Sequence, residues 1–265
     1  MSLIRKCARL ITLPIFNRNR RKEARAKVEA FLHKFLRTEF YRCQLVYERI
    51  YNLNIKQNKR YHLISLGQNC FIRMTCTFWG LKIRKADGER TMPFDISIHP
   101  LNTVLKLLQT QFHGYFNDIE YDQKEQCWKN TKLNIQWVHD KENNKEEFIE
   151  RYKQRIQAIN DAIQDNIPCL FFAYQDTEPE AEEINQLYMV LSRLCSHKKF
   201  KLVYMIFNHL PPRGINKEIA VYSSTYPEGY IHMDKYTKYT TQGLSFELPV
   251  VEFVRSQIEQ LILQG

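Results

Sequence analysis

Residues 169–174 read C-L-F-F-A-Y, six apolar side chains in a row. A strand with one wet face alternates apolar and polar residues. An unbroken apolar run of strand length therefore belongs to a strand covered on both faces, as in a parallel sheet. Pro168 precedes the run and stops any helix that leads into it. The reading of this short stretch sets the fold class, because its neighbours on both sides repeat the same logic.

Upstream, Asn144 and Glu147 stand at capping-box spacing. The helix they open carries Phe148, Tyr152, Ile156, Ile159 and Ile163 along one stripe. Downstream, Thr177 and Glu180 predict a second helix start, with Ile184, Leu187, Leu191 and Leu194 as its apolar face. Phe200–Phe207 is another apolar strand, Ile219–Ser223 a further one, and Pro249–Leu263 a closing helix. Farther upstream, Tyr61–Leu66 reads as a strand and Leu133–His139 alternates as another. Leu101–Leu108 suits a short helix after Pro100. Strands separated by helices predict an α/β domain with a mostly parallel sheet and helices on both faces.

The first strand leads into L-I-S-L-G-Q-N-C at Leu63–Cys70, and a helix-like run follows from Phe71 to Leu81. Gly67 suits a turn with positive φ. A strand that turns into a helix sets Cys70 at the helix N-terminus, among unpaired N–H groups and the positive end of the dipole. That setting lowers a thiol pKa, whereas an ordinary buried cysteine would simply pack. Ligands of parallel sheets bind beyond the carboxyl ends of the strands. Cys70, His139 with Asp140, Asp176, and Asn208 with His209 all end or follow strands and would share one rim. Cys70 is the candidate nucleophile and His139 the candidate base, with His209 as runner-up; His62, inside a strand, reads as packing. Asp95, Asp140 and Asp176 are candidates for the acid that orients the base. Gln68 and Asn69 are candidate oxyanion donors, or else they cap the turn.

Charge divides the chain. Residues 1–60 hold 16 Lys/Arg against 4 Asp/Glu, while the rest holds 23 against 25. The basic excess therefore belongs to a helical arm, residues 1–60, ahead of a near-neutral body, residues 61–265. Leu3, Ile4, Cys7, Leu10 and Ile11 fall at helical spacing, and N-R-N-R-R-K follows at Asn17–Lys22. Such a segment fits an anionic membrane surface through residues 1–22, or a helix packed on the body. Nucleic acid ranks lower, since no nucleic-acid motif accompanies the charge. The 7 cysteines include no C-x-x-C pair, so reduced thiols, a cytoplasmic setting and no metal are expected. No phosphate-binding glycine motif occurs, and no cofactor is expected. No run is long enough to span a membrane.

Four motifs together resemble a known family. They are S-L-G-Q-N-C at Ser65–Cys70, P-F-D at Pro93–Asp95, F-x-x-Y-F at Phe112–Phe116 and W-V-H-D at Trp137–Asp140. The pattern resembles bacterial domains of unknown function classed as papain-like cysteine peptidases, over about residues 61–210. The resemblance implies Cys70 as nucleophile, His139 as base and Asp95 as motif acid. Ile96 stands where the family usually has tryptophan. It also implies an acyl-hydrolysing or acyl-transferring enzyme acting on a small-molecule, peptide or glycan substrate, with a connection to surface polysaccharide synthesis at the inner face of the cell membrane. A carbohydrate-pathway transferase without covalent cysteine chemistry, and a membrane-associated adaptor, are the alternative readings.

Overall fold

The computed structural model describes residues 61–231 except 84, 86, 87 and 176, the helix 241–263, and within the first sixty only 10–14, 20, 21, 24, 25, 27, 28 and 31. Contacts divide the chain into Met1–Arg49 and Ile50–Gly265. In the first unit, Leu10 and Ile11 are helical and exposed. Leu3, Ile4 and Cys7 of the amphipathic segment and Asn17, Arg18, Asn19 and Lys22 of the basic cluster lie outside the described residues.

The larger unit is α/β. Its elements are β1 (His62–Ser65), α1 (Phe71–Phe78), α2 (Leu101–Gln109), β2 (Ile119–Asp122), β3 (Cys127–Asn130), β4 (Ile135–Trp137), α3 (Lys145–Gln164), β5 (Cys169–Gln175), α4 (Ala181–Leu194), β6 (Phe200–Phe207), β7 (Ala220–Ser224) and α5 (Thr241–Leu263). A four-stranded sheet has the order β1-β5-β6-β7, with every pair parallel. β5 and β6 lie inside it, which is why both are apolar but for Gln175 and Lys201 near their ends. Period-two alternation sends Phe171, Ala173, Leu202, Tyr204 and Ile206 into the core shared with α2, α3 and α4. On the opposite face Tyr174 and Phe207 meet Phe71 of α1, and Phe207 also meets Phe246 of α5. Both faces are covered, as the apolar runs predict.

Local capping follows the sequence at α3. Asn144 Oδ1 accepts from the Glu147 N–H at 3.2 Å, and Asn144 Nδ2 donates to Glu147 Oε1 at 2.9 Å. At α4 the expected Thr177 start is displaced. The helix begins at Ala181, and the Thr177 hydroxyl instead accepts from Gln175 Nε2 at 2.7 Å.

The strand around His139 corrects the expected topology. β4 is not part of the parallel sheet; it pairs antiparallel with β3, and β3 with β2. The reason is the preceding chain. Asp122 accepts from the N–H groups of Lys124 and Glu125, and Asn134 takes a positive φ, so tight turns return the backbone within a few residues. Two single bridges, through residues 98 and 99, link this small sheet to the turn that follows β1: Ile98 with Gln136, and His99 with Gln68. At this joint His99 is fully buried. Its Nδ1 lies 3.0 Å from Ser97 Oγ and its Nε2 3.0 Å from the Tyr115 hydroxyl, which also accepts from Trp137 Nε1 at 3.1 Å.

Burial holds the His99 pKa down to about 3, against a weaker opposing hydrogen bond at the Ser97 backbone. The imidazole is neutral in the folded protein, and the unfolded chain binds the extra proton first. Stability from this group is therefore complete above about pH 6.5 and is lost as pH falls toward 3. The loss is several kcal/mol, about 5 at most. Urea denaturation between pH 7 and pH 4 should show it in the wild type, and His99→Gln should lack that component.

Candidate functional site

β1 ends at Ser65, and the chain crosses Leu66 to a turn in which Gly67 has φ +92° and the Gly67–Gln68 peptide is cis. A Cβ on Gly67 would lie 2.8 Å from the His99 carbonyl oxygen, so the glycine is required by close backbone approach as well as by φ. The Gln68 carbonyl accepts from the His99 N–H at 3.0 Å, which fixes the turn. Asn69 Oδ1 accepts from the Phe71 N–H at 2.8 Å, so its amide oxygen caps α1. Cys70 is the N-cap residue of α1, where the strand–turn–helix pattern set it, and its carbonyl opens the helix by accepting from Met74.

The expected effect on the thiol is reversed. Cys70 is only 4 % exposed, and burial pushes its pKa up while a hydrogen bond at its own backbone pulls the other way. Around it the rim of the parallel sheet is filled by rings. Phe71 contacts Tyr174, Phe207, Tyr226 and Phe246 with centroids 5.4–6.4 Å apart.

Asp95 is fully buried and lies close to two buried cations. Its Oδ2 accepts from the Met92 N–H at 2.8 Å and lies 3.7 Å from Arg73 Nη1, on the helix that Cys70 begins. Its Oδ1 lies 3.7 Å from Lys82 Nζ, which donates to the Leu63 carbonyl and sits 3.4 Å from Glu89. These ion pairs place Asp95 among cations beneath the cysteine turn. Asp140 is also buried, and accepts from Arg151 and from the Tyr152 hydroxyl, at 2.5 and 2.8 Å, with Arg155 at 3.4 Å. It anchors α3 to the end of β4. Asp176 lies outside the described residues.

His139 is exposed, in the turn after β4. The bridges Gln68–His99 and Ile98–Gln136 are both antiparallel, so the chain toward Cys70 and the chain toward His139 run the same way. One bridging segment separates them, which at ordinary strand spacing is about 10 Å. The two residues thus leave the same end of a ladder without sharing a hydrogen bond. His209 is half-buried and follows β6, two residues past Phe207, whose ring touches Phe71. It is the described histidine that follows a strand of Cys70's own sheet at its carboxyl end. His62 bonds Asp165 at 2.6 Å, at the opposite end of β1.

Sequence reasoning passed over Arg73, Lys82 and the Ser97–His99–Tyr115 network. Their signal is weak, because a lone cation in a helix, as Arg73, or in the chain just after one, as Lys82, normally reads as solvated. Two cavities lie elsewhere. One of about 180 Å³ is lined by Phe112, Asn160, Ile163 and Gln164, an adjoining one of about 330 Å³ by Val190 and Arg193, and both by Leu108, Gln111 and Leu194. Both lie among α2, α3 and α4, not at Cys70. Among the described residues no cluster of His, Cys, Asp and Glu could hold a metal ion, and no helix is long and apolar enough to cross a membrane. No family model, curated protein or solved structure matches the chain.

Gly67→Ala should destabilise the domain by more than about 1 kcal/mol, read by urea denaturation, because the backbone of His99 must move to admit the methyl. Asp95→Ala should cost roughly 3–5 kcal/mol by leaving Arg73 buried without its counter-charge and Lys82 with Glu89 alone. His139→Ala, on an exposed turn, should stay within about 0.5 kcal/mol of wild type.

Proposed function

We propose that the protein is a thiol-nucleophile enzyme that hydrolyses or transfers acyl groups, with Cys70 as the attacking atom. The observation that carries this reading is the position of Cys70: N-cap of α1, directly off the carboxyl end of a parallel strand. Backbone N–H groups of the first turn of α1 gather there and stabilise a negative charge on sulfur or on an acyl oxygen.

In this mechanism the resting thiol is neutral, since burial holds its pKa up. A base must therefore take the proton as sulfur bonds to the acyl carbon, and return it to the leaving group. His139 is the base that the motif resemblance implies, and His209 is the one favoured by position in the sheet. Gln68 lies on the turn and is half-buried, within the region where an oxyanion would form. Asp95 acts through Arg73 and Lys82, holding the turn and α1 in place. The substrate class is an ester, thioester or amide on a small molecule, peptide or glycan. The family resemblance favours a role in bacterial surface polysaccharide synthesis, with residues 1–22 of the basic arm meeting anionic lipid.

A second reading is favoured by the burial of Cys70 and the aromatic packing of Phe71 beside it. There Cys70 packs, and the protein works without covalent thiol chemistry, as a carbohydrate-pathway transferase or an adaptor.

Incubation with a panel of aryl esters, thioesters and peptide amides, followed by intact-mass and peptide mapping, separates the two. The thiol reading expects an acyl adduct on Cys70 and turnover that falls at least about 10³-fold in Cys70→Ala. His139→Ala or His209→Ala, whichever removes the base, should lower the rate by about 10²–10⁴. Full turnover in Cys70→Ala would sink the thiol reading and support the second.

A further inference from the structure

The groove among α2, α3 and α4 is a concave surface that thiol chemistry at Cys70 leaves unused. Its two cavities, of about 180 and 330 Å³, adjoin, since Leu108, Gln111 and Leu194 line both. The floor is apolar: Leu108, Phe112, Ile163 and Val190 are buried and Leu194 is half-buried. The rim is polar and, but for Arg193, uncharged. Gln109 and Arg193 stand at the end between α2 and α4, Asn160 and Gln164 at the end between α2 and α3, and Gln111 belongs to both. Among the described residues, none of these rim side chains is bonded to another side chain or to the backbone.

Gln111 holds its place against a conformational cost. α2 closes in a Schellman turn: the Phe112 N–H donates to the Leu107 carbonyl at 2.8 Å, and the Gln111 N–H to the Leu108 carbonyl at 3.4 Å. The position of Gln111 in such a turn usually holds glycine, because the backbone there is left-handed. Here φ is +51° at Gln111 and +62° at Phe112. Two successive residues with side chains thus take the left-handed region, and both line the groove. Backbone strain of this kind collects at ligand sites, where the side chain serves binding.

The lining selects among ligands. A polyphosphate needs several cations, and among the described residues Arg193 is the one cation on the groove. The last turns of α2, α3 and α4 supply much of the wall, and the negative ends of their dipoles disfavour further negative charge. A cationic ligand would meet Arg193 and no carboxylate. A plain hydrocarbon would strip water from the rim amides and return no hydrogen bond. An apolar body that bears amide groups along it and one carboxylate at its end satisfies every wall. We propose that the groove is a binding site for an N-acylated apolar amino acid or short peptide with a free carboxylate. The carboxylate pairs with Arg193, and apolar side chains rest on Leu108, Phe112 and Leu194. The ligand's amides exchange hydrogen bonds with Gln111, Asn160 and Gln164. The proposal does not depend on acyl transfer at Cys70.

The test titrates the full-length chain with N-acetyl-leucyl-leucine by calorimetry. Saturable binding is expected. The C-terminal amide of the same dipeptide should bind about 10-fold more weakly, since it loses the charged pair with Arg193. Arg193→Gln should bring the acid down to the level of the amide and leave the amide unchanged. Gln111→Gly is the sharper variant. It relieves the left-handed strain, so its unfolding midpoint in urea should rise while its affinity for the dipeptide falls about 10-fold. A purely structural role for Gln111 predicts the rise without the fall. No saturable binding of either dipeptide, equal binding of acid and amide to the wild type, or full affinity in Gln111→Gly would each overturn the proposal. So would decanoate, a carboxylate with no amide, binding as tightly as the dipeptide.

Discussion

The backbone contact between Gly67 and His99 is the constraint on which the rest of the molecule depends. A carbonyl oxygen sits 2.8 Å from where a Cβ would be, so only a bare backbone passes. The hydrogen bond from the His99 N–H to the Gln68 carbonyl then joins the exit of β1 to the segment that bridges onto β4. Through this crossing the parallel sheet and the small antiparallel sheet become one body. It sets where α1 starts, and hence where Cys70 is held. It also buries His99, whose ring is satisfied by Ser97 and Tyr115 and is kept neutral by the absence of water.

The same region shows two electrostatic effects in competition at Cys70. A helix N-terminus stabilises a thiolate by roughly 0.3–1 kcal/mol, and α1 is a short helix. Removing the sulfur from water disfavours the thiolate by an amount that reaches several pKa units at full burial. Burial prevails, and the thiol is pushed up. The neighbouring acids serve placement in a related way. Asp95 lies near Arg73 and Lys82 beneath the turn, and Asp140 bonds Arg151 and Tyr152 to anchor α3. Charges that sequence spacing offers as partners of a base are, in the folded chain, partners of buried cations and of a phenol.

How much was legible depends on whether the signal is local. The apolar runs at β5 and β6, the capping box at Asn144, the glycine turn and the N-terminal position of Cys70 were all readable, because each reflects a backbone preference within a few residues. β2 and β3 give little strand signal, since each has only four residues and carries polar side chains as I-E-Y-D and C-W-K-N. β4 carries the alternation of a strand but no mark of the sheet it joins. A three-residue strand has the same alternation in either sheet, and the choice rests on the tight turns before it and on the bridge from Ile98. Arg73, Lys82 and His99 were invisible as a site because a polar residue in sequence carries no mark of the partner that will bury it.

The sequence by itself determined the class of the fold, the placement of most helices, and the strand–turn–helix step that delivers Cys70 to a helix N-terminus. These follow from periodicity, capping and glycine stereochemistry, which act over one or two turns of chain. Only the tertiary structure decided which sheet carries His139, which acids are occupied, and the direction of the shift at Cys70. Those outcomes depend on burial and on partners far apart in the chain, as Asp140 is from Arg155 and Gln68 from His99, and no local pattern encodes the distance between them.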